Sequence, residues 1–262
     1  MNLVDTHCHI DVSAFDADRD EVLERCQQAE ITRIVVPGIT RKTWPSLLET
    51  CKTDRKPGPL LYPSFGLHPV YLDQHTEDDI NTLADFIEQY RPIAVGEIGL
   101  DFYLPELDRD RQQTLFDAQL AVAAGAALPV LLHVRKSHDA VLASLRKSGV
   151  SGGICHAFNG SLQQAQQYLD LGFKLGFGGM LTYEHSHKLH RLAQQLPLDA
   201  IVLETDAPDM TGANHHGQRN SPEYLPETLQ ALARLRDADP HRVAEQTTAN
   251  AEAVLNFSEK PR

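Results

Sequence analysis
Apolar residues fall in eight short runs, at about residues 3–9, 32–37, 60–66, 93–98, 129–134, 152–157, 172–177 and 200–206. Their length and their bounding Gly, Pro and polar clusters read as buried strands. The segments between them, about 17–30, 43–52, 77–90, 108–126, 137–147, 161–170, 185–196 and 222–236, are helix-compatible. A last short helix is expected over about 240–255, after Asp239-Pro240. Ser161 or Gly160 is placed to cap the helix that begins near Leu162, and Gly172 stands beyond its end, the position that tolerates left-handed backbone. Pro222 lies near the start of the next-to-last helix, where a missing N–H costs little. Eight strand–helix alternations predict parallel strands with crossover helices, and so an α/β fold of the (β/α)8 TIM-barrel type, which typically needs about 250 residues. No repeat, linker or low-complexity tract interrupts the pattern, so one domain over residues 1–262 is expected.

The polar residues that break the apolar runs carry the chemistry. His7 and His9 flank Cys8 in Val4-Asp5-Thr6-His7-Cys8-His9. In an extended segment residues i and i+2 share a face, so the two imidazoles converge and Cys8 turns away. Glu97 ends Ile93-Ala94-Val95-Gly96-Glu97, and His133 ends Pro129-Val130-Leu131-Leu132-His133. His156 follows Gly153-Ile154-Cys155, and Asp206 closes Ile201-Val202-Leu203-Glu204-Thr205-Asp206. Single ionisable groups at the ends of buried strands are costly unless paired or metal-bound. Imidazoles and carboxylates together suit borderline divalent cations. The residues come from the first, fourth, fifth, sixth and eighth strands. An open doubly wound sheet would place ligands at one crevice; only a closed ring brings these five ends together.

Four histidines and two carboxylates exceed the needs of one four-coordinate zinc. They suit two divalent cations per subunit, with Glu97 as the bridge. His7, His9 and Asp206 are assigned to one ion, and His133 and His156 to the other. Such a pair clamps a phosphoryl or acyl centre and holds a bridging hydroxide, and Asp206 is placed to take the proton of that water as general base. Magnesium, manganese and zinc all remain open as the metal.

The formal net charge of −12 argues against a protein that coats duplex nucleic acid through a broad basic face, though not against an enzyme working on a nucleic-acid end. No run of about 18 apolar residues marks a membrane span, and the N-terminus enters a strand without a signal-peptide pattern, so the cytoplasm is the expected location. The four cysteines, Cys8, Cys26, Cys51 and Cys155, show no C-x-x-C spacing and are read as free thiols packed as small hydrophobes.

Several motifs carry a family resemblance. Asp5-Thr6-His7-Cys8-His9, Gly66-Leu67-His68-Pro69, Gly96-Glu97-Ile98-Gly99-Leu100-Asp101, Glu204-Thr205-Asp206-Ala207-Pro208 and Arg219-Asn220-Ser221-Pro222 occur in this order. The chain resembles the TatD-type metal-dependent hydrolases, a branch of the amidohydrolase-like barrels. His156-Ala157-Phe158-Asn159-Gly160-Ser161 and Gly178-Gly179-Met180-Leu181-Thr182-Tyr183 further resemble the YjjV-like bacterial subgroup. The resemblance implies a divalent-metal-dependent phosphodiesterase with 3′–5′ exonuclease activity on single-stranded DNA ends. It also implies ligands at His7, His9, Glu97, His133, His156 and Asp206. A hydrolase of a small phosphate, carboxylic ester or amide on the same site is the alternative, and a metal-stabilised partner-binding scaffold is the non-enzyme one. No obligate protein partner is indicated.

His68, Arg135, Lys136 and Arg219 lie on loops expected at the barrel mouth and are read as substrate-binding, the cations through phosphate. Arg41-Lys42 forms a weaker case of the same kind. Trp44 and Tyr183 either stack on a base or pack between helix and barrel. His138, His185, His187, His190, His215 and His216 are read mostly as surface residues, and the glycines of 176–179 as a strand-to-loop turn.

Overall fold
The computed structural model describes residues 1–52 and 57–257. The eight expected strands are present: β1 (Leu3–Asp5), β2 (Ile31–Pro37), β3 (Leu60–Phe65), β4 (Ala94–Asp101), β5 (Val130–Arg135), β6 (Gly153–Cys155), β7 (Phe173–Phe177) and β8 (Ile201–Leu203). They pair in parallel in sequence order, β1 to β8. The seam between β8 and β1 is joined by the Thr6 N–H donating to the Leu203 carbonyl at 3.0 Å and the Asp206 N–H to the His7 carbonyl at 2.8 Å. Side chains reinforce it: Asp5 accepts from the Thr205 hydroxyl at 2.6 Å and from the Thr205 N–H at 3.0 Å. The result is the (β/α)8 barrel.

Around the barrel stand α1 (Arg19–Gln28), α2 (Trp44–Lys52), α3 (Asp78–Tyr90), α4 (Arg109–Gly125), α5 (His138–Ser148), α6 (Leu162–Asp170), α7 (His187–Gln195) and α8 (Leu225–Leu235). The last helix, α9 (Pro240–Val254), lies against the lower end of the barrel near β1, β7 and β8. Local sequence explains the boundaries. Ser161 accepts from the Gln164 N–H while Gln164 returns a bond to the Ser161 N–H, a reciprocal cap that satisfies two orphan donors. Past the end of that helix Gly172 takes φ 82°, a conformation glycine adopts without a Cβ clash. Pro222 opens a short 3-10 turn, Pro222–Tyr224, which leads into α8.

Strand parity divides the core in two. Val4, Val35, Tyr62, Ala94, Leu131, Ile154 and Val202 point into the barrel and pack with Ala251 and Leu255 near its floor. Their neighbours Ile34, Val36, Val95, Val130, Leu132, Cys155 and Leu203 face the helices. Cys8 and Cys155 belong to this outer layer, and all four cysteines are free. Two residues beyond the floor layer the inward positions become His133, His156 and Glu204. Parity therefore delivers polar side chains to the open C-terminal end, where barrel enzymes place their sites. Among the described residues no helix is long and apolar enough to cross a membrane.

Candidate metal centre
The six expected ligands meet at that end, although not all stand within strands. β1 ends at Asp5, so His7 and His9 lie just beyond it; His156 is one residue past β6, and Asp206 three past β8. The phase set by Val4 changes at the bend at Thr6, after which both imidazoles reach the same carboxylate oxygen while Cys8 is buried outward.

Glu97 is the centre. Its Oε2 lies 3.1 Å from His7 Nε2 and 3.5 Å from His9 Nε2. Its Oε1 lies 3.1 Å from His133 Nδ1, 3.1 Å from His156 Nε2 and 3.2 Å from His68 Nε2. One carboxylate thus faces two groups of imidazoles with separate oxygens. Asp206 Oδ1 stands 3.6 Å from His7 Nε2 and 3.8 Å from His9 Nε2. The backbone at Asp206 has φ 57°, a left-handed conformation uncommon for a residue other than glycine and one that recurs at active sites. Ala157 (φ 44°) and Lys136 (φ 59°) share it, so three of the loops leaving the barrel top turn through this region.

The outer nitrogens are held by the protein. His9 Nδ1 lies 3.2 Å from the Pro37 carbonyl, which fixes its proton there and directs Nε2 inward. His133 Nε2 lies 3.1 Å from Asp101 Oδ2, a carboxylate–imidazole pair of the kind that orients metal ligands. Behind His156, Glu204 Oε1 stands 3.8 Å from Nδ1 and accepts from the Ala157 N–H at 2.6 Å. Glu204 is accommodated because β7 carries Gly176 opposite it: a Cβ there would lie 2.1 Å from Glu204 Oε2. Gly176 is therefore a strand residue that makes room for a carboxylate, rather than part of a turn.

Burial sets the protonation of the cluster. It favours neutral imidazoles, and with neighbouring rings it pushes His7 down to about 3 and His68 to about 4. Burial acts the same way on His9 and His156, but Glu97 and Asp206 outweigh it and raise them to about 9 and about 10. Burial alone would raise Glu97, yet the surrounding imidazoles hold it well below the usual carboxylate range. Burial pushes Glu204 up to about 8 and also raises Asp206.

The donor set fits divalent cations. Three groups bring single ligand atoms within 4.8 Å of one another: His7, His156 and Asp206; His7, His9 and Glu97; and His68, Glu97 and His133. His7 and His156 each turn Nε2 toward Glu97 and leave a buried Nδ1 without a hydrogen-bond partner on the far side of the ring. His68, read from sequence as a substrate contact, stands among the candidate ligands.

Above the cluster lies a cavity of about 700 Å³ whose lining includes His9, His68, Glu97, His133, His156 and Asp206. Arg135 lines it, 3.9 Å from Asp101 and stacked 3.8 Å over the Tyr103 ring. The other expected cations do not. Arg219 makes two 2.7 Å bonds to the Asp18 carboxylate and one to the Ala14 carbonyl, over the Phe15 ring. It is a clasp between the first and last loops and not, as the sequence suggests, a cation lining the mouth. Lys136 is exposed and lies outside the lining. Arg41 is paired with Asp78 and Asp79. Trp44 is fully buried and donates to the Gly66 carbonyl, and Tyr183 donates to the Thr211 carbonyl; both are structural. His138, expected at the surface, is buried between Tyr168 and Asn159. Asp101 and Glu204 carry no role in the sequence reading; Glu204 shares the inward parity of Val202, whereas Asp101 shares that of Glu97 only beyond the register shift between Val95 and Ile98.

A parallel eight-stranded barrel with clustered imidazoles and carboxylates at its C-terminal mouth is the arrangement of a metal-dependent hydrolase. Comparison with known proteins narrows the class. A family model described as TatD related DNase matches residues 4–256, and the chain belongs to this family. The metal-dependent hydrolase YjjV of Escherichia coli K12, of uncharacterized function, is 36% identical over 257 residues, covering 97% of each chain. Its crystal structure superposes with a TM-score of 0.91 over 97% of this chain and 98% of that one. A protein of Erwinia billingiae named 3′-5′ ssDNA/RNA exonuclease TatD is 31% identical over 262 residues, covering 97% of this chain and 99% of its own.

Proposed function
We propose that this hydrolase removes nucleotides from the 3′ ends of single-stranded DNA, with two divalent cations bound at the barrel mouth. The division of the Glu97 carboxylate between two imidazole groups carries the reading, because a shared ligand is what a two-cation site requires. His7, His9 and Asp206 serve one cation, and His133 and His156 the other. Bound cations would supply Lewis-acid charge to the phosphoryl oxygens and ease ionisation of water.

The remaining work falls to the chain itself. His9 and His133 are held in fixed tautomers by Pro37 and Asp101, so their inward nitrogens need no rearrangement. Arg135 offers its guanidinium to a phosphate within the cavity. Asp206, with a raised pKa, accepts a proton from the attacking water as its oxygen bonds to phosphorus. The P–O3′ bond breaks, the proton passes to the leaving 3′ oxygen, and a nucleoside 5′-monophosphate separates from a strand with a new 3′ hydroxyl.

The net charge of −12 and the concave site oppose binding along duplex DNA, whereas a frayed end enters the mouth. Support for the chemistry also comes from the naming of the Erwinia relative. The test compares linear and circular single strands of equal length and concentration under several divalent metals. Degradation of the linear strand from its 3′ end with the circle untouched is expected. Rapid cutting of the circle would overturn the end-dependent reading, and inertness toward both would redirect the search to small phosphate esters.

A further inference from the structure
The cavity has two unlike walls. On the side of the β8, β1, β2 and β3 loops it is lined by Pro208, Met210, Val12, Ile39, Val70 and Tyr71. These loops are consecutive around the ring, and His9, His68 and Asp209 stand among the apolar residues. On the side of β5 and β6 stand Arg135 and Asn159, beside Val134 and Ala157. The candidate ligands form the floor between them.

The apolar wall is also unusually open. Tyr71 is 38% exposed and Met210 37%, two of five large hydrophobic side chains exposed among the described residues. Both line this cavity. The Tyr71 ring is held edge-to-face against His68 at 5.8 Å between centroids, and His68 in turn lies against Glu97. An aromatic ring therefore stands one imidazole away from the centre of the metal cluster, with part of its surface free.

From this asymmetry we infer that the wall formed by Tyr71, Ile39, Val12 and Met210 is the subsite for the nucleobase of the 3′-terminal nucleotide. A phosphate over the floor meets Arg135 on one side, leaving the uncharged nucleoside to face the apolar side. Bases stack on aromatic rings with little regard to sequence, since each presents a π face, which suits an enzyme that removes successive nucleotides. Asp209 lines the same side of the cavity. Its carboxylate opposes a further phosphate there, so the wall accepts the end of a strand and not its interior. The inference rests on the phosphodiesterase reading above and adds which part of the substrate lies where.

The test uses two single strands identical but for the last residue, which carries either a base or an abasic tetrahydrofuran. Base–aromatic stacking worth about 1–3 kcal/mol corresponds to a preference of roughly 5- to 150-fold in kcat/KM for the intact end. Tyr71→Ala should lower the rate on the intact end by a larger factor than the rate on the abasic end, so that the preference between them collapses toward one; Tyr71→Phe should retain the preference. A second readout needs no turnover. A strand ending in 2-aminopurine behind an uncleavable methylphosphonate linkage should lose fluorescence on binding the metal-loaded enzyme, and Tyr71→Ala should remove that quenching. Equal rates on both ends by the unaltered enzyme, or equal losses on both in Tyr71→Ala, would overturn the subsite while leaving the exonuclease reading intact. Quenching without hydrolysis of either strand under any metal would support the subsite and refute the nuclease. Neither quenching nor hydrolysis would refute both.

Discussion

Replacing Gly176 with alanine adds one methyl group and tests how Glu204 is held. A Cβ at this position would lie 2.1 Å from Glu204 Oε2, 2.5 Å from Cδ and 2.7 Å from Oε1. Glu204 is 1% exposed and its Oε1 is engaged by the Ala157 N–H, so the carboxyl has no solvent into which to move. Overpacking of this kind costs about 1–3 kcal/mol. Displacing the carboxyl from the Ala157 N–H strands a buried donor at about 1–3 kcal/mol more. The reduced freedom of the unfolded chain returns about 0.4–1 kcal/mol. The expected net loss is about 2–4 kcal/mol, measured by urea denaturation of the metal-stripped protein. The decisive comparison repeats the substitution in a Glu204→Ala background, where the obstructing group is gone and the loss should fall below about 1 kcal/mol. An equal loss in both backgrounds would show that the methyl group clashes with something else and would refute the reasoning.

Three further outcomes follow from the centre. Glu97→Ala should lower the content of both cations, because both depend on its oxygens; elemental analysis finding two ions still bound per chain would remove it from the bridging role. Asp206→Asn keeps an oxygen but loses the base, so turnover should fall about 10²–10⁴-fold with metal content preserved, and near-normal turnover would exclude the proposed proton transfer. Glu204 is raised from 4.5 to about 8 in the folded protein, so folding favours its protonated form. Its contribution to stability is present below about pH 4.5 and is lost as pH rises through about 8. In chelator, the stability of wild type relative to Glu204→Gln should therefore decline over that interval by at most about 1.4 kcal/mol per pH unit; a difference constant with pH would contradict the shift.

The sequence patterns that proved most informative were those set by the backbone itself. Parallel strands buried on both faces read as apolar runs, and their period of two predicts which residue at each end turns inward. His133 and His156 follow their strands by that rule, and one further step reaches Glu204; in β4 a register shift between Val95 and Ile98 breaks the alternation, and only beyond it do Glu97 and Asp101 share the inward face. His68 was legible as a mouth residue, but not as a neighbour of Glu97, because the distance is set by how two loops fold together. Arg219 misled for a similar reason: its carboxylate partner, Asp18, is 201 residues away in the chain. His138 was misread because its polar neighbours suggest solvent, whereas the packing of α5 against α6 gives it Tyr168 and Asn159 as partners. Gly176 looked like a turn signal since glycine is common in turns, yet its reason is the carboxylate on the adjacent strand.

The seam between β8 and β1 has a consequence for biosynthesis. A ribosome releases His7 and His9 first, and five of the six expected ligands emerge before β8 exists. Until residues 201–206 appear, β1 has no neighbour on that side, Asp5 lacks Thr205, and Asp206 is still to come. The Arg219 clasp onto Asp18 emerges later still. Competence is thus deferred to the last stage of translation, and a product truncated before β8 lacks both the closing strand and Asp206, the proposed proton acceptor.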